Sequence, residues 1–393
     1  MKRRTFITLL AAGSVAACAR PVHATIRGLT MGTSYAVELA APIDDAVRTR
    51  LAKLIELELT AINQAMSTYD PRSELSEFNR RQDLRWAPAS RGLLEVLDSA
   101  SRISTSTQGA FDVTVGPLVD LWGFGPQYRT RQVPDDAVIE RVRESVGYQH
   151  VQTDPSAGAI RKRHSRTQVD LSAIAKGYGV DRVALVLDDQ GVEDYLVEIG
   201  GELRARGTAA AGRPWRVGIE RPVEGRRLIG EIVALENRAI ATSGTTRDFF
   251  EQDGQHYSHC IDPATARPVE HPPMAVSVVA DTAMEADGWA TALLVLGPER
   301  GYSLAQARGL GLHLSSLDDT CETQTSFFEA AEDARAQSSR CFKKITSLDN
   351  HQFLPEIAKN LQADQVMVNH GGDTAYLCSR HCCRFPLKRM KVL

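Results

Sequence analysis

Asp287 and Thr291 stand four residues apart in Asp281-Thr-Ala-Met-Glu-Ala-Asp-Gly-Trp-Ala-Thr291, so on a helix they share one face, a turn apart. A carboxylate stacked with a hydroxyl offers hard oxygen ligands suited to Mg²⁺, which keeps waters and shares its sphere with substrate phosphate. An ordinary polar helix face has the same appearance. Asp170-Leu-Ser-Ala-Ile-Ala-Lys-Gly-Tyr178 carries a second chemistry. There Ser172 is placed to cap a helix whose first turn holds Ala173 and Lys176, and free N–H groups beside a lysine bind an anion such as a pyrophosphate. A plain helix start with a solvated lysine fits that stretch equally well. In Tyr257-Ser-His-Cys-Ile-Asp-Pro263, His259 is of the type that takes a proton from an attacking hydroxyl, although a lone histidine also serves structural ends. Gly200-Gly201-Glu202 and Ser243-Gly244-Thr245 let backbone approach a ligand and can form anion nests. Hairpin turns explain both as well.

The elements that must hold these groups are readable in part. Apolar residues at Val47, Leu51, Ile55, Leu59, Ile62 and Met66 predict an amphipathic helix from Asp44 to Met66. A second helix is expected from Ser90 to Gln108, closed by Gly109, and a third from near Ser172 to Gly191. Thr282 and Glu285 have the spacing of a capping box, which starts a helix that Gly297-Pro298 is expected to stop. Strand patterns occupy residues 33–39, as the first strand, then 167–171, 195–207 about a Gly200-Gly201 turn, 215–220, 230–236 and 275–280. Helices and strands come in blocks without strict alternation, which predicts an α+β fold with largely antiparallel sheet. No internal repeat or low-complexity tract is present.

Of 393 residues, 43% are hydrophobic and 24% charged, which argues against a disordered, collagenous or multi-span membrane protein. The formal charge of −3 supplies no field for nucleic acid or anionic lipid, so no nucleic-acid partner is expected and any phosphate must be met locally. Seven cysteines are too few for a disulfide scaffold. Residues 1–18 have the basic, apolar and small-residue regions of a secretory signal. Val15-Ala16-Ala17-Cys18 resembles a lipobox, whose cysteine is lipidated and becomes the mature first residue. Arg3-Arg4 fits a twin-arginine signal or a general basic n-region. Residues 19–24 read as a linker and 25–317 as a single catalytic domain. Residues 318–393 read as a cysteine-containing basic tail. Zinc at Cys378, Cys382, Cys383 and His370 or His381 is one reading of that tail, but adjacent cysteines are poor zinc geometry and oxidised or unstructured thiols fit better. No GxxxxGK[ST] loop, helix-opening GxGxxG, HExxH, GxSxG elbow or CxxC pair occurs, which removes the common nucleotide and hydrolase signatures.

Taken in order, Met31-Gly32-Thr33, Ser67-Thr-Tyr-Asp70 with Ser73 to Asn79, Gly109 to Pro117, Leu121-Trp-Gly-Phe-Gly125, Asp170 to Tyr178, Gly200-Gly-Glu202, Ala241-Thr-Ser-Gly244, His259 to Pro263 and Met284-Glu-Ala-Asp287 resemble the ApbE family, the FAD:protein FMN transferases. The likeness runs from about residue 29 to 314, and the lipoprotein signal fits it. The resemblance implies an ApbE-like, T-fold-related architecture and an enzyme that moves FMN from FAD to a threonine, sometimes a serine, releasing AMP. It implies that Ala173 through its carbonyl, Asp287 and Thr291 hold Mg²⁺. Met31, Tyr69, Ala110, Phe111, Asp112, Asp170, Lys176 and Ile261 would contact FAD, and His259 matches the catalytic histidine, as base toward the hydroxyl or as a group that orients phosphate. It also implies a periplasmic, lipid-anchored protein, with the inner membrane as the expected site, whose acceptor belongs to an exported or membrane-bound electron-transfer complex. Two other functions stay open on the residues: an exported FAD-binding lipoprotein without chemistry, and an FAD pyrophosphatase giving FMN and AMP. Cys260 and Ala266 depart from the family's usual aliphatic residue and glycine, and after Leu314 the likeness stops. If the closing strands are absent, either the fold is destabilised or tail residues re-cover the exposed sheet edge.

Overall fold

Side chains alternate between core and surface along Thr33–Leu39 and Tyr195–Ile199, burying Tyr35, Val37 and Leu39 on one strand and Tyr195, Val197 and Ile199 on the other. A period of two with one apolar face is what a half-covered sheet requires. The computed structural model describes residues 24–126, 130–220, 229–271 and 274–317, with the backbone pairing of Cys321–Phe327, Ser338–Lys343, Gln365–Asn369 and Ala375–Ser379. Among these, one sheet of nine strands dominates. Its order is Ala24–Thr30, Thr33–Leu39, Tyr195–Ile199, Glu202–Arg206, Ala239–Gly244, Met274–Ala280, Gly311–Leu317, Cys321–Phe327 and Ser338–Lys343, with every neighbour antiparallel. The expected α+β class with antiparallel sheet is the one found.

Helices cover one face of the sheet. Asp45–Met66 is capped by the Asp44 carboxylate, which accepts from Val47 N at 2.7 Å, and it buries Leu51, Ile55, Leu59, Ile62 and Met66. Arg91–Ser106 begins under the Ser90 cap. Ala283–Arg308 is buried on most sides because it packs on the strands Ala239–Gly244 and Met274–Ala280, beside the Ala175–Asp189 helix and against Arg91–Ser106.

Three expectations need correcting. Residues 33–39 form the second strand, since Ala24–Thr30 precedes it and Met31-Gly32 closes the hairpin with φ of 49° and 72°. Residues 167–171 form no strand. The Asn79 amide bonds both Val169 N, at 2.7 Å, and Val169 O, at 2.8 Å, and Asp170 N donates to Val113 O, so a side chain and a loop satisfy this backbone in place of a neighbouring strand. Gly297-Pro298 does interrupt the helix, as expected. The chain breaks at Gly297, with φ 80°, and resumes helix from Pro298, whose missing N–H costs nothing at a helix start. The third helix starts at Ala175, three residues later than expected. The Cys18 signal segment lies outside the described residues, as do the tail thiol side chains. The sheet edge beyond Gly311–Leu317 is paired by Cys321–Phe327 of the tail.

Close approach of the two site-bearing helices depends on Gly177. A Cβ there would sit 2.2 Å from Ala283 O and 2.6 Å from its carbon. Gly177→Ala should therefore destabilise the protein by about 1–3 kcal/mol through overpacking, read as a lower urea midpoint at unchanged slope. Parental stability in that variant would contradict the close approach.

Candidate active site

Asp181 fixes the relation between the two helices. Its carboxylate accepts from Ala283 N and Met284 N, both at 2.9 Å, and pairs with Arg204 at 2.6 Å. It thus caps the start of Ala283–Arg308 from the side, adding to the Thr282 hydroxyl that accepts from Glu285 N at 3.2 Å. One turn back along the first helix and one turn on along the second, Gly177 N donates to Asp287 Oδ2 at 3.0 Å, where a regular helix would turn that N–H to the carbonyl of Ala173. Lys176 Nζ lies 3.8 Å from Asp287 Oδ2 and 3.2 Å from Glu202 Oε1. Thr291 Oγ1 meets Ser243 Oγ at 2.8 Å.

Asp287 and Glu202 are each 3% exposed. Burial raises the Asp287 carboxyl, against the Lys176 ammonium and the Gly177 N–H. Burial also raises Glu202, with Lys176 opposing and Asp287 reinforcing. For Lys176, burial disfavours the charge, but the two carboxylates outweigh it and the ammonium is held well above its usual range. Two buried acids therefore share one cation, and Glu202 Oε2 has no hydrogen-bond partner. That imbalance suits additional positive charge. Among the described residues no three His, Cys, Asp or Glu side chains converge. Asp287, Thr291 and Ala173, the ligands the resemblance implies, border one cavity, and one carboxylate, one hydroxyl and a carbonyl would suit Mg²⁺ with retained waters and not a closed protein cage.

His259 comes from the other side. It follows the Gln255–Ser258 strand, and its ring stands edge-on to Phe124 at 6.4 Å between centroids. Trp122, Phe124, Phe250 and Tyr257 form the aromatic floor beneath it. Its Nδ1 lies 3.1 Å from Asp248 O, which fixes a proton on that nitrogen and leaves Nε2, 3.7 Å from Cys260 Sγ, as the nitrogen able to accept a proton. Cys260 first, and then the Asp248 carbonyl, hold the imidazole up to about 9 against the effect of burial. Ala266 carries φ 58°, a conformation natural to glycine, while its carbonyl accepts the Trp122 indole N–H at 3.1 Å.

A single cavity of about 440 Å³ is bordered by Tyr69, Ala110, Phe111, Asp112, Asp170, Ala173, Lys176, His259, Ile261, Asp287 and Thr291. A more open cleft of about 710 Å³ adjoins it and shares Tyr69, Pro126 and Asp170. Residues 31–314 match the model of the ApbE family. This chain belongs to the ApbE family. Among its relatives, the FAD:protein FMN transferase of Vibrio cholerae is 42% identical over 306 residues, 78% of this chain and 91% of that protein. The enzyme of the same name from Salmonella typhimurium is 39% identical over 298 residues, 75% and 85%. The solved flavin transferase ApbE from Vibrio cholerae superposes with a TM-score of 0.71 at 40% identity, covering 77% of this chain and 96% of that one. The apo flavinyl transferase ApbE of Pseudomonas stutzeri gives 0.70 at 36%, covering 77% and 94%.

Within this ApbE cavity the expected residues differ in what their side chains can still do. Tyr69 is 66% exposed at the rim, whereas Phe111 and Ile261 are buried in the wall. The Asp112 carboxylate is committed to Thr114 N, Thr114 Oγ1 and Tyr148 N, and burial raises its pKa despite those bonds. Ser172 does not cap the helix, which starts after Ile174 with no side-chain cap bond, and bonds instead to Asp170. The Asp170 carboxylate accepts from Ser172 N at 2.8 Å and from the Ser172 hydroxyl, forming an Asx turn that delays the helix to Ala175. Met31 is the one expected ligand residue that does not border the cavity. It packs from the hairpin turn against Gly179, where a Cβ would lie 2.8 Å from Met31 Cε. Asp181, Ser243 and Asp248 escaped notice as partners of the site. Ser243 lay within a segment singled out for its glycine, and nothing local marks the other two, since each acts on a residue far away in sequence.

Proposed function

We propose that this protein transfers FMN from FAD to a threonine or serine hydroxyl of an acceptor protein, leaving a phosphoester-linked flavin and releasing AMP. The observation that carries this reading is the convergence of Lys176, Asp287, Thr291 and His259 on one cavity. An oxygen nucleophile attacking the FMN-side phosphorus meets dense negative charge, and the bond to the AMP phosphate must break as the new one forms. Lys176, partly exposed with its ammonium charged between two carboxylates, is suited to hold a pyrophosphate oxygen. Ala173 O, Asp287 and Thr291 would hold Mg²⁺, and when bound that ion supplies charge neutralisation at the scissile linkage. His259 Nε2 takes the hydroxyl proton, with the Asp248 carbonyl keeping the ring in the required tautomer. Tyr69 at the rim and Phe111 and Ile261 in the wall offer the apolar surfaces that a flavin or adenine ring needs.

The same reading takes the protein as exported and tethered through Cys18 to a membrane facing the periplasm. Its acceptor is then an electron-transfer protein in that compartment. Incubation with FAD, Mg²⁺ and a threonine-bearing acceptor should give a covalently fluorescent acceptor band on a denaturing gel. Chelation by EDTA should abolish the band and excess Mg²⁺ should restore it. Undiminished labelling under EDTA would contradict the metal's part in the reaction.

A further inference from the structure

Glu202 sits directly after the Gly200-Gly201 turn at the start of its strand, and the hydrogen bonds around it assign it a job. Its Oε1 lies 3.2 Å from Lys176 Nζ, while Oε2 is equally buried and unpartnered. The same ammonium stands 3.8 Å from Asp287 Oδ2. Left to itself, Lys176 is the counter-ion of Asp287 and competes with any cation that carboxylate would bind, because a dication at Asp287 and an ammonium against it repel strongly at such distances. A second seat removes the conflict. A carboxylate can accept two of the three ammonium N–H bonds, and Glu202 has one oxygen still open. The path between seats is also clear: Lys176 Cδ runs 3.2 Å from where a Gly200 Cβ would lie, so any side chain at 200 would crowd it.

We propose that Glu202 is a positioning residue that draws Lys176 off Asp287 when Asp287 takes a divalent cation, keeping the ammonium in the cavity for substrate phosphate. The proposal rests on the reading of Asp287 as a metal ligand. The structure contributes the shared ammonium, the open carboxylate oxygen and the bare face of Gly200.

The test uses Mn²⁺, whose ligand preferences follow those of Mg²⁺ at carboxylate and carbonyl sites, titrated into the purified, FAD-free protein and followed by electron paramagnetic resonance. Glu202→Gln should weaken Mn²⁺ binding by roughly 10–100-fold, the usual cost of losing a group that orients a metal site. With Lys176→Met already present, the same substitution should change the affinity by less than about threefold, since no ammonium remains to be held. Equal weakening in both backgrounds would overturn the proposal, because Glu202 would then act through its own charge. No weakening in either would overturn it too. The circular dichroism spectrum and the urea midpoint report the fold of each variant. Should Glu202→Gln fail that check, the cycle is read in Glu202→Asp, whose shortened side chain should show partial weakening that vanishes with Lys176→Met. A parent protein that takes up no Mn²⁺ at saturating concentration would overturn the Asp287 reading itself, a result distinct from the others.

Discussion

Replacing Asp287 by asparagine should lower FMN transfer by about 10³-fold or more, with the loss in kcat and not only in the KM for FAD. The expected size follows from removing the one carboxylate of an open metal site, which forfeits several kcal/mol of transition-state stabilisation, at about 1.4 kcal/mol per tenfold in rate. Asparagine keeps the shape and can still accept from Gly177 N, so the helix contact survives. Lys176 keeps Glu202 as its partner. The fold should therefore persist, and the circular dichroism spectrum and unfolding midpoint should stay near those of the parent. Raising Mg²⁺ should recover little of the activity. An asparagine variant with parental kcat would remove Asp287 from the reaction.

His259→Ala should depress kcat by about 10²–10⁴-fold, the range for losing a positioned base, while FAD binding changes little. Equal losses in both would assign the histidine to binding. The pH dependence gives the sign independently. Because the imidazole is held up to about 9, most of it carries a proton at neutral pH, and the neutral form able to accept one grows about tenfold per pH unit below that value. Transfer should therefore rise from pH 7 and level off near 9. Cys260→Val removes the leading cause of the elevation and should move the rise toward the ordinary histidine range, about 6.5. A rate that falls between pH 7 and 9 would instead make His259 a cation that holds phosphate.

Much of the site was legible because its chemistry is carried by local spacing. Asp287 and Thr291 lie on one helix face, one turn apart, and the Thr282 cap that sets their phase is visible three residues before Glu285. Lys176 follows from its place at a helix start, even though the helix begins at Ala175 and Asp170 organises the turn that Ser172 was expected to cap. What escaped is long-range. Asp181 locks two helices more than a hundred residues apart, Ser243 meets Thr291 from a strand, and Asp248 sets the His259 tautomer through a main-chain carbonyl, which no side-chain pattern reports. Residues 167–171 have a strand-like pattern, yet Asn79 satisfies Val169 from the side and no neighbouring strand is needed. Each of these is a case of tertiary contact overriding local preference.

The most direct measurement follows AMP and flavin together in one reaction of the purified protein with FAD, Mg²⁺ and a threonine-bearing acceptor. Every AMP released should be matched by one acceptor whose mass has grown by FMN less one water, with no free FMN accumulating. AMP matched by free FMN, or no AMP at all, would contradict transfer and leave hydrolysis or simple FAD binding in its place.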